Sequence, residues 1–316
     1  MHAREGAWHG SRRAVLGGAA KLAAGGTLAA TLARFGLGSA LAQGTPAALA
    51  YPELKVTITD QALQASATAI PAGFVLLTVV NHSKVASSVG VLGPGPGQTM
   101  ADLQREAATP TPSNAFPPFL YTATILGGPG EVPPGATGQA ILRVPAGQWV
   151  VFPEGNQRVA FFTATAGTPA SQAPPSAAVT ITEVDFAFGG YDVPIAAGKQ
   201  VWAVRNQGTQ PHMLVLGRVP PGTTVAQVLQ AASLPPNATP PPGALKPSDF
   251  HEVSPAGVIL QSRGTTVWPL LDLPAGHYAA LCFVTDPRNG EIHAMEGMVA
   301  VFDVGGAGTP VATPHS

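Results

Sequence analysis

The sequence contains the segment Lys199-Gln200-Val201-Trp202-Ala203-Val204-Arg205-Asn206, which is followed by Val215-Leu216-Gly217. A second copy of this arrangement lies upstream, where Phe74-Val75-Leu76-Leu77-Thr78-Val79-Val80-Asn81 leads to Val91-Leu92-Gly93. Each copy then continues into a segment with a helical pattern, at residues 99–107 and 223–232. Later in each copy comes a Pro-Ala-Gly turn, at residues 145–147 and 274–276. An internal repeat of this length indicates a tandem duplication.

Each copy has the sequence pattern of β-structure. Short runs rich in β-branched and aromatic residues, such as 75–80 and 278–283, are separated by turns that contain Pro, Gly or Asn. The 33 prolines and 37 glycines leave little room for long helices. We therefore predict an all-β fold of two tandem Greek-key β-sandwiches. The predicted domains are residues 43–166 and 178–305, joined by a linker at 167–177 and followed by a flexible tail at 306–316.

The amino-terminal residues read as a targeting segment. The pair Arg12-Arg13 precedes an Ala/Gly/Leu-rich run, residues 15–41, that ends in Ala40-Leu41-Ala42, a small-x-small cleavage pattern. This predicts a twin-arginine signal peptide over residues 1–42, its removal, and a periplasmic or extracellular protein. A membrane-spanning anchor is the alternative interpretation.

The remaining chain is acidic. Residues 1–42 hold five of the 16 Lys and Arg residues and one of the 17 acids, which leaves 11 bases, 16 acids and a net charge of −5. This balance favours neither nucleic acid nor an anionic membrane surface as a partner. We also expect no stable membrane insertion after signal removal.

The residues that carry chemistry lie between 281 and 298. This stretch contains the single cysteine, Cys282, together with His293, Met295 and Met298. A thiolate, two imidazoles and a long axial thioether form the mononuclear copper site used in electron transfer. The second imidazole is supplied by His212, which follows a predicted turn at 206–211. A cysteine on a strand is more often a small buried hydrophobe, so only the joint pattern favours a metal.

The second half resembles the cupredoxins, the family of blue copper proteins. The matching residues are Asn206-x-Gly208-x-x-Pro211-His212, Pro274-Ala275-Gly276-x-Tyr278, Cys282, and His293-x-x-x-Gly297-Met298. The last motif is similar to that of copper nitrite reductases. The resemblance implies one type 1 copper ion bound by His212, Cys282, His293 and Met298, with His293 facing a redox partner protein.

The sequence departs from this family in two places that concern the site. Ten residues separate Cys282 from His293, which is a longer gap than in the related proteins. Met213 follows His212 where these proteins usually carry Asn or a similar residue that supports the thiolate. The turn sequence at 286–290 predicts that the longer loop still returns His293 to the site.

The first half lacks the corresponding ligands. Ser88 aligns with His212 and Pro153 aligns with Cys282. We therefore expect a cupredoxin-like shell without a metal site, whose role is packing or docking.

The sequence is compatible with three functions. The resemblance favours an exported one-electron carrier, and the alternatives are a protein that holds or delivers copper and a metal-free structural protein. Residues 43–316 contain no His-x-His pattern of the kind that additional copper centres use. On this ground we expect that the protein is not an enzyme.

Overall fold

The computed structural model of the protein describes residues 51–109, 116–153, 158–167, 173–234, 239–246 and 249–306. The predicted signal peptide and nearly all of the predicted tail lie outside these ranges. Within them, no helix has the length and apolar character needed to cross a membrane.

The first half contains ten strands and two short helices in the described residues. They are β1 (Glu53–Ile58), β2 (Leu63–Ala65), β3 (Ala69–Pro71), β4 (Gly73–Asn81), β5 (Val89–Gly93), α1 (Met100–Ala107), α2 (Phe119–Thr122), β6 (Thr124–Gly127), β7 (Pro129–Glu131), β8 (Thr137–Val144), β9 (Gly147–Pro153) and β10 (Ala160–Thr165).

The second half contains eight strands and one helix in the described residues. They are β11 (Val179–Val184), β12 (Ala187–Gly189), β13 (Gly198–Asn206), β14 (His212–Val219), α3 (Val225–Ser233), β15 (His251–Gln261), β16 (Thr266–Leu273), β17 (Gly276–Leu281) and β18 (Val299–Val304). The all-β prediction is confirmed.

The predicted helical segments at 99–107 and 223–232 form α1 and α3. Both helices begin with a capping box, in which a threonine side chain and the third helical residue satisfy each other's backbone N–H groups. The pairs are Thr99 with Asp102 and Thr224 with Gln227. The same local chemistry therefore starts the longest helix described in each half.

The strands form one eight-stranded sheet and two five-stranded sheets. The large sheet has the order β12-β11-β13-β16-β8-β4-β1-β2, and the others have the orders β3-β10-β9-β5-β6 and β18-β17-β14-β15-β7. The pairing of the first half recurs in the second. Strands β1 and β4 pair in parallel, as do β11 and β13, while β5 pairs with β9 as β14 pairs with β17.

The large sheet continues across the two halves. Strand β16 pairs antiparallel with β8, with Pro269 opposite Ala140 at the middle of the ladder. Strand β7 of the first half also joins the sheet of the second half by pairing with β15. The predicted domain boundaries at 43–166 and 178–305 stay a prediction, but backbone hydrogen bonds connect the two parts beyond the linker.

Strand burial follows from the side-chain alternation. Strand β1 alternates exposed and buried residues, as expected for a strand with one face on the core, whereas all five residues of β5 are buried. The largest side chains with almost no exposed surface include Trp202 and Tyr278, both in the second half. Burial of this apolar surface is the main force that holds the sheets together.

Candidate metal centre

The antiparallel pairing of β14 with β17 brings two of the predicted ligands together. His212 is the first residue of β14, and Cys282 directly follows the last residue of β17. Since Val215 pairs with Leu281, the start of β14 lies beside the residues that follow β17. The Nδ1 atom of His212 is 3.9 Å from the Sγ atom of Cys282.

The loop after Cys282 folds back to deliver the third ligand. The N–H of His293 donates to the carbonyl of Val284 at 2.8 Å, and the N–H of Ala294 donates to the carbonyl of Cys282 at 2.9 Å. Farther out, Asp286 N–H donates to the Glu291 carbonyl at 2.7 Å. These ladder-like bonds compensate for the long gap between Cys282 and His293, because the extra residues form a turn away from the site.

The three donor atoms have a spacing that suits a single transition-metal ion. The Nδ1 atoms of His212 and His293 are 3.0 Å apart, and Nδ1 of His293 is 3.5 Å from the Cys282 Sγ. The centre of this triangle is about 2.0 Å from each atom, close to metal–imidazole and metal–thiolate bonds of about 2.0–2.3 Å. Among the described residues, this is the one cluster of at least three His, Cys, Asp or Glu side chains arranged for a metal.

Hydrogen bonds on the far side of both imidazole rings orient the metal-facing nitrogens. The Nε2–H of His212 donates to Oδ1 of Asp185 at 2.8 Å, and the Nε2–H of His293 donates to Oε1 of Gln210 at 3.2 Å. Each neutral ring then has an unprotonated Nδ1. Two lone pairs and a sulfur facing one another repel unless a cation lies between them, so the donor set fits a metal.

The protonation states agree with this arrangement. Burial lowers the pKa of His212, although the neighbouring Asp185 acts in the opposite direction. Burial and the neighbouring His212 lower the pKa of His293 to about 4. Both imidazoles are therefore neutral at pH 7, which is the form that binds metals. Cys282 is fully buried, so its sulfur lies away from solvent.

Met298 is fixed beside the other ligands through its backbone. Its N–H donates to the His293 carbonyl at 2.9 Å, and its carbonyl accepts the N–H of Cys282 at 3.2 Å. The Met298 side chain is fully buried, whereas Met295 is 41% exposed. This difference agrees with the choice of Met298 over Met295, and axial ligation by Met298 stays a prediction.

His293 is buried in the structure, and its expected role of facing a redox partner protein stays a prediction. Its exposed fraction is 0%. The ring of Phe186 meets the His293 ring edge-on at 5.0 Å, and the guanidinium of Arg288 lies over Phe186 at 5.3 Å. Phe186 comes from the hairpin between β11 and β12, and Arg288 comes from the loop after Cys282.

Two residues that contact the imidazoles were not predicted from the sequence. Asp185 and Gln210 bind Nε2 of the two rings, yet neither belongs to the ligand motifs. Gln210 could have been found, because it lies two residues before His212. Asp185 is 27 residues from His212, and an acidic residue in a hairpin turn has no distinctive pattern.

Asn206, and not Met213, supports the turn before His212. Met213 is buried, and its position beside His212 carries no amide that could support the thiolate. Asn206 organises the turn instead, because its Nδ2 donates to the carbonyls of Gln210 and Gln261 and its Oδ1 accepts the N–H of Gly208.

The first half shows no ligand at the corresponding places. Ser88 lies just before β5 and is buried, and Pro153 ends β9 opposite Val89. Neither side chain is a usual metal ligand. The prediction of a shell without a metal site remains a prediction.

Comparisons with known proteins found matches among solved structures only. No protein-family model and no curated protein matches the chain. Among solved structures, auracyanin from Roseiflexus castenholzii is 23% identical, covers 40% of this chain and 94% of its own, and has a TM-score of 0.26. Copper nitrite reductase from Nitrosomonas europaea is 13% identical, covers 84% and 97%, and has a TM-score of 0.25.

A multi-copper oxidase from Pseudomonas Thermotolerans also matches, at 14% identity. It covers 82% of this chain and 69% of its own, with a TM-score of 0.27. Similarity at this level concerns the fold alone. The prediction that the protein is not an enzyme is wrong as an exclusion, because nitrite reductase and multi-copper oxidase are enzymes and stand beside auracyanin among the matches. Absence of His-x-His excludes one ligand pattern only, since separate strands can also supply ligands.

The described residues form an all-β structure of several sheets, and a buried His-Cys-His cluster lies at the end of two of its strands. This cluster supports copper binding by the protein, because imidazole and thiolate groups are ligands of copper.

Proposed function

We propose that the protein binds one copper ion in its second half, as a type 1 centre, and transfers single electrons through it. The proposed ligands are Cys282, His212 and His293 in a trigonal set, with Met298 as a weak axial ligand. The observation that carries this proposal is the convergence of three fully buried donors on one point at metal-bond distance. A copper ion bound there would supply reversible one-electron chemistry.

Backbone hydrogen bonds hold the proposed ligands in place. Strands β14 and β17 fix His212 and Cys282 through their shared ladder, and the loop bonds from His293 and Ala294 fix the third donor. A rigid ligand set changes little between the two oxidation states, and small rearrangement favours fast electron exchange. The cover over His293 excludes water from the centre.

We further propose that the chain is a tandem pair of cupredoxin-like domains and that only the second holds copper. The repeated strand pairing supports this, as do Ser88 and Pro153 in the first half. The spacing His293-x-x-x-Gly297-Met298, similar to copper nitrite reductases, supports the type 1 assignment.

Export by a twin-arginine signal at residues 1–42, a periplasmic or extracellular location and a redox partner protein complete the proposal. The basis for export is the sequence Arg12-Arg13 and the cleavage pattern at residues 40–42.

The burial of the donors favours a resident ion over one that is handed to another protein. Transfer requires that an incoming ligand reach the ion, and Cys282, His212 and His293 all have an exposed fraction of 0%. Copper delivery is therefore the less favoured function, and it predicts loss of copper to a competing apo-protein without a redox change.

The test is to load the protein with Cu(II) and record its visible absorption and reduction potential. We expect one copper per chain, an intense thiolate-to-copper band and a reversible one-electron wave. Cys282→Ser should abolish the band, while Ser88→Ala, the matched change in the first half, should leave it unchanged. Absence of the band in the wild-type protein, or its persistence in Cys282→Ser, would refute the proposal.

A further inference from the structure

We propose that Asp185 is a positioning residue that holds His212 for the metal and, through that ring, lowers the reduction potential of the centre. This inference rests on the proposed copper function. Asp185 lies in the turn between β11 and β12, where Val184 pairs with Ala187, and it belongs to none of the ligand motifs.

The Asp185 carboxylate is held firmly in place. Its oxygens accept hydrogen bonds from the N–H of Thr209 at 2.9 Å, from the N–H of Gln210 at 3.3 Å and from the Thr209 hydroxyl. The remaining contact is Oδ1 with Nε2 of His212 at 2.8 Å. The turn that carries His212 and the hairpin that carries Asp185 are thus tied together at the ring.

The backbone leaves room for this contact only because residue 208 is glycine. A Cβ atom at Gly208 would lie 2.4 Å from Oδ1 of Asp185 and 2.4 Å from Nε2 of His212. Real Cβ atoms do not approach so closely, so any side chain at this position would separate the carboxylate from the ring. The glycine of the Asn206-x-Gly208 motif therefore has a specific task in this chain.

The two imidazoles donate hydrogen bonds to different kinds of acceptor. His212 donates to a carboxylate, whereas His293 donates to the neutral amide of Gln210. A carboxylate on the distal nitrogen makes an imidazole a stronger donor and fixes its tautomer. A stronger donor and a nearby negative charge both stabilise Cu(II) more than Cu(I), which lowers the potential.

The central experiment replaces Asp185 with Asn in the full chain. Asp185→Asn keeps an acceptor oxygen and removes the charge, so the visible band should remain. We expect a more positive reduction potential and Cu(II) affinity weaker by about 10- to 100-fold, measured by competition with a chelator. Gly208→Ala should produce the same direction of change with the carboxylate still present.

Asp303→Asn is the matched control. Asp303 accepts a hydrogen bond from Nδ1 of His277 at 2.7 Å, the same kind of pair at a histidine outside the cluster. Asp303→Asn should leave the reduction potential of the copper centre unchanged. Equal potentials for Asp185→Asn and wild type, or equal shifts in Asp185→Asn and Asp303→Asn, would overturn the inference.

A second readout needs no copper. Nitrogen-15 NMR of the apo-protein should show His212 protonated at Nε2. Asp185→Ala should change this tautomer or broaden the His212 signal. An unchanged His212 signal in Asp185→Ala would contradict the inference. A wild-type protein without the copper band would instead refute the proposed function, while the NMR result would still decide whether Asp185 positions His212.

Discussion

Glu183 is a carboxyl group buried where a charge is costly. Its side chain has no exposed surface, and burial raises its pKa to about 8 although the Gln261 amide donates to Oε2 at 2.6 Å. The other oxygen, Oε1, has no hydrogen-bond partner among the described groups. Glu183 is therefore protonated in the folded protein at neutral pH.

This burial makes stability depend on pH. Between the ordinary pKa of 4.5 and the folded value of about 8, the folded state holds a proton that the unfolded state has lost. The Glu183 contribution is therefore fully present below pH 4.5 and is lost as the pH rises toward 8. The loss is at most about 1.4 kcal/mol per pH unit.

Glu183→Gln should remove this dependence, because glutamine has the same shape and does not ionise. We expect the free energy of unfolding of the variant to exceed that of the wild type at pH 8 and to approach it at pH 4.5, measured by denaturant titration. Glu53→Gln, an exposed change on β1, serves as the control. An equal pH dependence in wild type and Glu183→Gln would contradict the assignment.

At the residue scale, the sequence predicts the three metal-binding side chains but not the residues that hydrogen-bond to the two imidazoles. Cys282, His212 and His293 have side chains that few other roles require together, and they lie in short motifs. Asp185 can be recognised as a contact of His212 only when the pairing of β11 with β13 is known, because that pairing brings the Asp185 hairpin to the turn before His212. Exposure of His293 could not be judged either, since Phe186 covers it from the same hairpin.

The element that matters most for the site is the loop from Cys282 to Met298. Its outer turn is organised by Asp286, which is fully buried and accepts hydrogen bonds from the N–H and the guanidinium of Arg288. These bonds hold the pKa of Asp286 well below its usual range. Because Asp286 N–H also closes the ladder that returns His293, the turn and the ligand are mechanically linked.

Asp286→Ala should therefore loosen His293 as well as destabilise the fold. We expect about 1–3 kcal/mol less unfolding free energy, measured by denaturant titration, together with weaker Cu(II) binding by chelator competition. Asp60→Ala removes an acidic residue from a solvent-exposed ion pair with Lys84 in the first half. It should change stability by no more than about 1 kcal/mol and leave copper binding intact. Unchanged copper affinity in Asp286→Ala would show that the turn does not position His293.

At the element scale, prediction succeeds where the signal is local. The capping threonines and apolar spacing indicate α1 and α3, and alternating β-branched residues indicate strands such as β4 and β13. The three-residue strands β2, β3, β7 and β12 are too short for a pattern and form because a neighbouring strand offers hydrogen-bond partners. Pairing of β8 with β16 depends on contacts between residues far apart in the chain, which periodicity does not encode.

Over the whole molecule, the two halves are joined by more than the linker. On the eight-stranded sheet, Phe74 of β4 meets Trp268 of β16 edge-on at 5.4 Å, within an apolar cluster that includes Ile141 and Ala203. The Tyr121 hydroxyl of α2 donates to the carbonyl of Thr285 in the ligand loop. A side chain of the first half therefore contacts the loop that carries His293.

Such continuity predicts that the molecule unfolds as one unit. Copper bound only to the folded second half should then stabilise the whole chain, by about 4 kcal/mol at a free copper concentration 1,000 times the Kd. Scanning calorimetry should show a single transition that moves to higher temperature when copper is added, and no such shift in Cys282→Ser. Two transitions, of which only one responds to copper, would show that the shared sheet does not couple the halves. If the shared sheet does couple the two halves, copper binding in the second half also stabilises the first half. The hydrogen bonds between β8 and β16 are the connection, because neither strand can leave the sheet without breaking them.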